Sequence, residues 1–409
     1  MVLYEVTVMK KRKNSTLQYT FLQAMLWATY GFLFSYANPF LTEKLGLSDT
    51  LSGIILCAAT GASCLLQPVL TAATDRTRLN VRWVLLLSSA FTAICAGASM
   101  AELPIAATTV LFAGACVGLQ VLPSFTNALG MARMRSGEQI NFGLSRGVGS
   151  ICFGVSARLA PIAIAHMGLN GVPAAGGTTA LLFLVAVLVM KEKHSLRGAQ
   201  SADTESEPSP AAEFFRKHKK FVGMLLAAVL LYVGHNVLSN CMLRIAQSKL
   251  TNAALEEATG VQGTALLIAA LVELPTMFLF TNIVKKIRCD ILLFASCVFM
   301  TLRLLLSLVL PGAVGLYIAQ TAQMLGYAVF AVSTVYYAGS VIEKRNVVKG
   351  QTYLGTANTL GCMLAYALGG TLIDAVGVSN MLLVCIAVSV VGCALALLCL
   401  ERVEKTVGA

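Results

Sequence analysis

The sequence predicts an all-α membrane protein: twelve transmembrane helices in two pseudo-symmetric six-helix bundles. Three observations carry this. Only 12% of the 409 residues are charged and 57% are hydrophobic, whereas soluble globular chains carry about 25% charged residues. Apolar stretches close to the roughly 20 residues that span a bilayer recur from end to end. The one long polar interruption, residues 191–220, divides them six and six.

The twelve stretches run approximately over 17–40, 50–72, 83–101, 105–129, 140–165, 172–190, 221–247, 261–284, 290–310, 314–341, 350–373 and 380–400. They are continuously apolar, whereas barrel strands are about ten residues long and alternate. The basic run at 10–13 precedes a first segment carrying Gln23, Trp27, Tyr30 and Asn38, too long and too polar for a cleavable signal peptide.

The net charge of +11 reads as topology rather than as affinity for nucleic acid. With both termini cytoplasmic, 24 of the 30 Lys and Arg fall in tails and cytoplasmic loops, the positive-inside asymmetry, with some attraction to anionic lipid. The 12 Cys show no CxxC and no Cys/His cluster, and pack as small hydrophobes rather than as metal ligands or disulfides.

Ser, Pro and mixed charge mark 191–220 as a cytoplasmic linker, leaving bundles at 1–190 and 221–409. An internal repeat at an offset of 207 supports the division. It sets Pro68 on Pro275, Pro104 on Pro311, Gly53 on Gly260, Gly143 on Gly350 and Gly154 on Gly361. The glycine matches are near chance; two proline matches among ten prolines are harder to assign to it. Parallel six-helix repeats are a known transporter design.

Polar side chains within a bilayer face protein or water. Segment 1 carries Gln23, Trp27, Tyr30 and Asn38; segment 4 carries Gln120, Ser124 and Asn127. Segment 7 carries Tyr232, His235, Asn236, Ser239 and Asn240; segment 10 carries Gln320, Gln323 and Tyr327. Steps of three, four and seven put each set on one helical face. Segments 3, 6 and 12 lack such stripes and read as lipid-facing. Every third helix is thus polar, which suits two bundles around an aqueous cavity. Scattered amides acting as interhelical glue are the competing reading.

Glu273 is the only carboxylate deep within a segment. It costs about 2.5–3.5 kcal/mol there, and an acid in low dielectric is the kind of group that exchanges a proton near physiological pH. Arg303 is its expected partner: rises of 1.5 Å per residue put the two about 18 and 10 Å from the outer face. A static ion pair is the alternative. Arg146 either binds solute or snorkels to the interface. His235 is either proton-active or an ordinary hydrogen-bonded histidine. Asp75 and Arg76, in the basic loop after segment 2, suit a gating clasp, with a solvated loop as the competitor.

These residues, on two six-helix halves, resemble the major facilitator superfamily. Asp75 and Arg76 match its signature loop, while Thr71 stands where glycine is usual and the later glycine is missing. Within it, nearly the whole chain is similar to the lactose permease-like oligosaccharide/proton symporters and the phenylpropionate-type permeases. "FGLSR" places Arg146 on the group's sugar-binding arginine, with Phe153 at the position of a stacking aromatic. "ALVELPTMF" places Glu273 on its helix-8 glutamate, "FMTLRLL" places Arg303 on its helix-9 arginine, and "YVGHNVLSN" places His235 on a segment 7 histidine. The helix-10 His and Glu of the symporters align here with Gln323 and Gly326, and a helix-4 sugar-binding acid falls near Asn127. Proton coupling then rests on Glu273, with or without His235, or is absent.

The resulting expectation is a secondary transporter working by alternating access, with sugars, nucleosides and aromatic acids as solutes in that order. Substrate contacts are expected from Glu273, Arg146, Phe153, Asn127, Trp27, Tyr30, Gln323 and Asn236. Proton coupling is expected from Glu273, Arg303 and His235. The chain is expected to be a monomer in the cell membrane, using protons and contacting lipid, with no cofactor, metal or nucleic acid. An uncoupled facilitator and an exporter are the alternatives within transport. An intramembrane enzyme would need clustered catalytic groups, and no GxxxxGK[ST] marks an ATP-driven pump.

Overall fold

The structure is a computed structural model that describes residues 2–76, 80–136, 138–190, 210–250 and 254–403. All of its regular elements are helical. In chain order they are α1 (Val2–Thr29), α2 (Ala37–Pro39), α3 (Asp49–Arg76), α4 (Val81–Ala98), α5 (Ile105–Arg135), α6 (Phe142–Met167) and α7 (Gly171–Val189). After them come α8 (Ala211–Lys217), α9 (Lys219–Asn240), α10 (Met242–Lys249), α11 (Leu255–Lys286) and α12 (Cys289–Val309). Last are α13 (Gly312–Thr321), α14 (Tyr327–Val341) and α15 (Val347–Cys399).

The helix boundaries follow the 207-residue offset. Shifted by it, α3 to α7 fall on 256–283, 288–305, 312–342, 349–374 and 378–396, against α11, α12, the α13–α14 pair and the two parts of α15. Pro68 and Pro275 both lie inside helices, and Pro104 and Pro311 are both N-cap residues. Proline suits a helix start because its missing N–H has no intrahelical partner there. Each half also breaks at a glycine, two residues apart at this offset. Gly168, between α6 and α7, has φ 59, and Gly377, inside α15, has φ 79 and ψ 168, conformations open chiefly to glycine.

Two lysines act alike at helix ends, one in each unit. Lys249 Nζ donates to Leu308 O at 2.6 Å and Leu310 O at 2.9 Å, closing the C-terminus of α12. Lys44 Nζ, 4.7 Å over the Phe40 ring, donates to Asn170 Oδ1 and reaches Ser99 O at 3.5 Å, just past the end of α4. A cation at the negative end of a helix is stabilising. Partial burial holds both ammonium groups below the usual lysine range.

The chain forms two compact units, 1–47 with 58–202 and 48–57 with 203–409. Linker residues 191–209 lie outside the described residues. In the first unit the core holds Tyr19, Tyr36, Phe183 and a Phe40–Phe112 stack at 4.1 Å. In the second, Met224, Leu231, Leu293 and Phe330 form one cluster and Val237, Met242, Leu316 and Met381 another. The first turns of α3 are built into this unit. Arg244 grips Asp49 with Nε at 3.1 and 2.9 Å from its two carboxylate oxygens, and Asp374 accepts from the Thr50 amide at 2.7 Å. Backbones cross closely there: a Cβ on Gly53 would lie 2.2 Å from Tyr366 O, and one on Gly370 2.0 Å from Asp49 O.

Among the described residues, nine helical stretches are long and apolar enough to cross a membrane. Two of them, of 48 and 51 residues, exceed twice the length of one crossing. The stripe-free helices expose their apolar side chains: Ile94 is 69% exposed on α4, Val189 68% on α7 and Leu398 77% on α15. Such surface is stable in lipid and not in water.

Candidate functional site

Each unit gathers its own polar set at a helix irregularity. In the first unit, α1 ends at Thr29 and gives way to a wider π-helical turn, Tyr30–Phe34, a feature common at functional positions. Just before it, the fully buried Gln23 organises a network. Its Nε2 donates to Tyr19 Oη at 2.9 Å and Asn127 Oδ1 at 3.2 Å, while its Oε1 accepts from Trp27 Nε1 at 3.0 Å. With both ends occupied, the amide fixes the indole plane.

Arg146 caps that indole, its guanidinium carbon 4.0 Å from the ring centre and its Nη1 donating to Ser150 Oγ at 2.8 Å. Cation–π contacts of this kind contribute about 0.5–2 kcal/mol. The slot exists because residue 149 is glycine, where a Cβ would meet the Trp27 ring at 2.5 Å. From Trp27 an aromatic row continues to Tyr30 at 5.2 Å and on to Phe34 at 5.3 Å, all three rings half-buried. Gln23, Trp27, Tyr30, Asn127 and Arg146 are thus brought together. Phe153 lies further along α6, where its carbonyl comes within 2.5 Å of a Cβ built on Gly31. Its ring makes no aromatic contact among the described residues. Asn38 is buried within α2.

In the second unit, the stretch expected as one helix over 314–341 is broken. α13 ends at Thr321, a 3-10 turn covers Ala322–Met324, and Gly326 departs from helical geometry at φ −84, ψ −100 before α14 begins. Broken helices are tolerated at membrane depth where they are enclosed by protein or line a cavity. Two side chains of α11, one turn apart, stitch the break. Glu273, 8% exposed, accepts from Gln323 Nε2, and Thr276 Oγ1 donates to Met324 O at 3.0 Å.

Arg303, 2% exposed on α12, sends Nε to Gln320 Oε1 at 3.1 Å, Nη2 to the same oxygen, and Nη1 to His235 Nδ1 at 3.1 Å. Its hydrogen bonds therefore go to an amide and an imidazole. The His235 ring lies flat on Tyr327, centroids 4.1 Å apart and planes 8° apart. Asn236 Nδ2 turns back to Tyr232 O at 2.8 Å. Glu273, Gln323, Arg303, His235 and Tyr327 thus collect around one break. Asp75 and Arg76 close the end of α3, and their side chains lie outside the described residues.

Four features escaped the sequence reading: the Gly149 slot, the π-helical turn, the break at Gly326 and the Arg244–Asp49 grip. Only Gly326 left a trace, since a glycine at the foot of a polar stripe is a plausible breaking point.

A family model matches residues 17–379, nearly the whole chain. The chain belongs to the MFS_1 like family. It is a multi-pass membrane protein of a transporter family, and the lactose permease-like grouping stays a resemblance in sequence. Among curated proteins none matches. Of solved structures, nucleoside transporter NupG superposes with a TM-score of 0.78 at 13% identity, over 94% of this chain and 98% of that one. An auto-inhibited POT family peptide transporter gives 0.74 at 9% identity, over 97% and 99%. A peptide transporter POT in complex with sulfate gives 0.70 at 12% identity, over 94% and 93%. At these identities the likeness is one of fold.

Proposed function

We propose that the chain is a proton-coupled secondary transporter of a neutral, hydroxylated ring solute, nucleosides before sugars, working by alternating access as a monomer in the cell membrane. The observation that carries it is the Glu273–Gln323 pair. The carboxylate takes a hydrogen bond from an amide nitrogen, and the oxygen of the same amide, Gln323 Oε1, is buried with no hydrogen-bond partner. A buried acceptor left so costs about 1–3 kcal/mol. A glutamine serves both forms of the acid, because Nε2–H donates to a carboxylate and, after a flip, Oε1 accepts from a carboxylic acid. Glu273 can therefore gain and lose a proton while keeping its partner. Arg303, held by Gln320 and His235, keeps its place in both states.

Within each unit flat groups support a ring-bearing solute: the half-buried Tyr30 beside Trp27 in the first, and the outer face of the His235–Tyr327 stack in the second. A nucleoside offers both a planar face and hydroxyls, and the fold likeness to a nucleoside transporter agrees. Sugars are the second reading, favoured by the resemblance of Arg146 and Glu273 to symporter positions. The test is a binding and uptake panel on purified, reconstituted protein with uridine, inosine, glucose, galactose and 3-phenylpropionate. Nucleoside uptake that rises with an inward proton gradient is expected. Uptake confined to the carboxylate, or indifferent to pH gradient, overturns it.

A further inference from the structure

The structure assigns His235 a role of its own: we propose that it is the locked, neutral hydrogen-bond donor that reads a carbonyl or ring-nitrogen acceptor on the solute's planar ring. This rests on the ring-solute reading above.

The assignment follows from what each partner can do. A guanidinium has five N–H donors and no acceptor. Arg303 Nη1 stands 3.1 Å from His235 Nδ1, so Nδ1 is the acceptor and carries no proton. The ring proton is then on Nε2. A doubly protonated ring would set two cationic N–H groups head to head.

The direction of the chain is fixed from behind. Gln320 Nε2 donates to Leu316 O at 3.2 Å, a backbone carbonyl inside α13. That turns Gln320 Oε1 toward Arg303, whose Nε and Nη2 both donate to it. Gln320 is fully buried and Arg303 is 2% exposed, so water does not compete for these bonds. The donations diverge from Arg303, to His235 Nδ1 on one side and through Gln320 to the helix backbone on the other, and no register reverses them. Tyr327, flat against the imidazole at 4.1 Å, holds the plane of the ring.

On His235 itself the network leaves one donor, Nε2–H. Among the described residues nothing hydrogen-bonds to His235 Nε2, and that atom is not enclosed, since His235 is half-buried and absent from the buried unpaired atoms. An N–H with a fixed direction, at the break that carries Glu273 and Gln323, selects an acceptor lying in the imidazole plane. Nucleobases carry such acceptors. His235 is on this view a specificity residue, and Arg303 and Gln320 position it.

Two probes that share a planar six-membered ring and a ribose test it: uridine, and the riboside that carries a phenyl ring, without carbonyl or ring nitrogen, in place of the base. Binding is measured on the purified protein and on His235→Leu and His235→Gln. Glutamine keeps an acceptor for Arg303 and a donor for the solute. His235→Leu is expected to weaken uridine about ten- to hundredfold and the phenyl riboside less than about threefold, with His235→Gln recovering most of the uridine loss. Equal losses on both probes, or no loss on uridine, overturn the proposal. If the wild type binds neither probe, the ring-solute reading has failed, and the donor assignment is decided separately. The protein has 4 histidines, so the 15N spectrum of its imidazoles at pH 7 resolves the tautomer. A bare Nδ1 and a protonated Nε2 at His235 are expected; a protonated Nδ1 removes the proposal.

Discussion

Replacing Gly53 or Gly370 by alanine should destabilise the protein through one contact, and the geometry sets the size. A methyl at Gly53 would lie 2.2 Å from Tyr366 O, and one at Gly370 2.0 Å from Asp49 O. Ordinary carbon–oxygen contact begins at about 3.3 Å, so the backbones must separate by about an ångström. Both obstacles are main-chain oxygens within helices, and no rotamer change relieves them. Overpacking of this kind costs about 1–3 kcal/mol. The same strands of contact carry the Arg244–Asp49 pair and the Asp374 bond to Thr50, so the upper part of the range is expected. The control is built into the repeat. Gly260, the counterpart of Gly53 at the 207 offset, has nothing within 4 Å of its built Cβ. Alanine there should stabilise by about 0.5–1 kcal/mol through helix propensity. Thermal unfolding of purified protein in detergent, followed by labelling of the buried cysteines, gives both signs in one experiment. Gly53→Ala and Gly370→Ala unfolding at or above the wild-type temperature refutes the close crossing.

Further outcomes follow from the same geometry. Arg244→Met leaves Asp49, 6% exposed, without its guanidinium and should cost about 2–4 kcal/mol of stability, whereas Asp49→Asn, which can still accept, should cost less than half of that; equal losses in thermal unfolding count against the grip. Gln323→Leu removes the partner of both forms of Glu273 and should abolish gradient-driven uptake while solute binding weakens less than about tenfold; uptake at wild-type rate removes the amide's role. Arg146→Lys keeps the charge but loses the planar stack on Trp27 and should lower solute affinity by about three- to tenfold in a binding titration; unchanged affinity removes Arg146 from the site. At the surface, the hydrogen bond from Lys217, with Arg345 nearby, holds the Glu343 carboxyl below its usual range. A depressed carboxyl stabilises the fold above its unfolded value and loses that contribution as pH falls through the folded one. The unfolding temperatures of wild type and Glu343→Gln should therefore converge as pH falls below the ordinary carboxylate range, and a difference that grows there contradicts the pair.

Much of this was legible in the chain because membrane helices advertise themselves. Without water in the bilayer, backbone groups are satisfied within helices, so apolar length placed most of the helices, though not the interruptions within 17–40 and 314–341. The prolines at 68 and 275, and at 104 and 311, marked a repeat that the helix boundaries follow closely. The polar stripes named Gln23, Trp27, Asn127, His235, Gln320 and Gln323 for the same reason: a polar side chain at depth needs a partner. Which partner was not legible. Arg303 was expected on Glu273, the only opposite charge at its depth. It instead binds Gln320 and His235, because the helix that carries Gln320 breaks at Gly326 and turns its residues independently on either side. A break is a property of backbone dihedrals and of neighbours such as Met300, whose backbone comes within 3.2 Å of a Cβ built on Gly326, and no pattern of hydropathy records it. The Gly149 slot was hidden for a related reason, since a glycine in a helix signals room without saying which ring fills it.

The most direct measurement is proton-driven uptake by Glu273→Gln in proteoliposomes, using the solute that binds in the panel. With an imposed inward acid gradient, the wild type should accumulate solute above its external concentration. Glu273→Gln should only equilibrate it, with exchange of labelled for unlabelled solute preserved. Accumulation by Glu273→Gln at the wild-type level would show that the proton moves elsewhere.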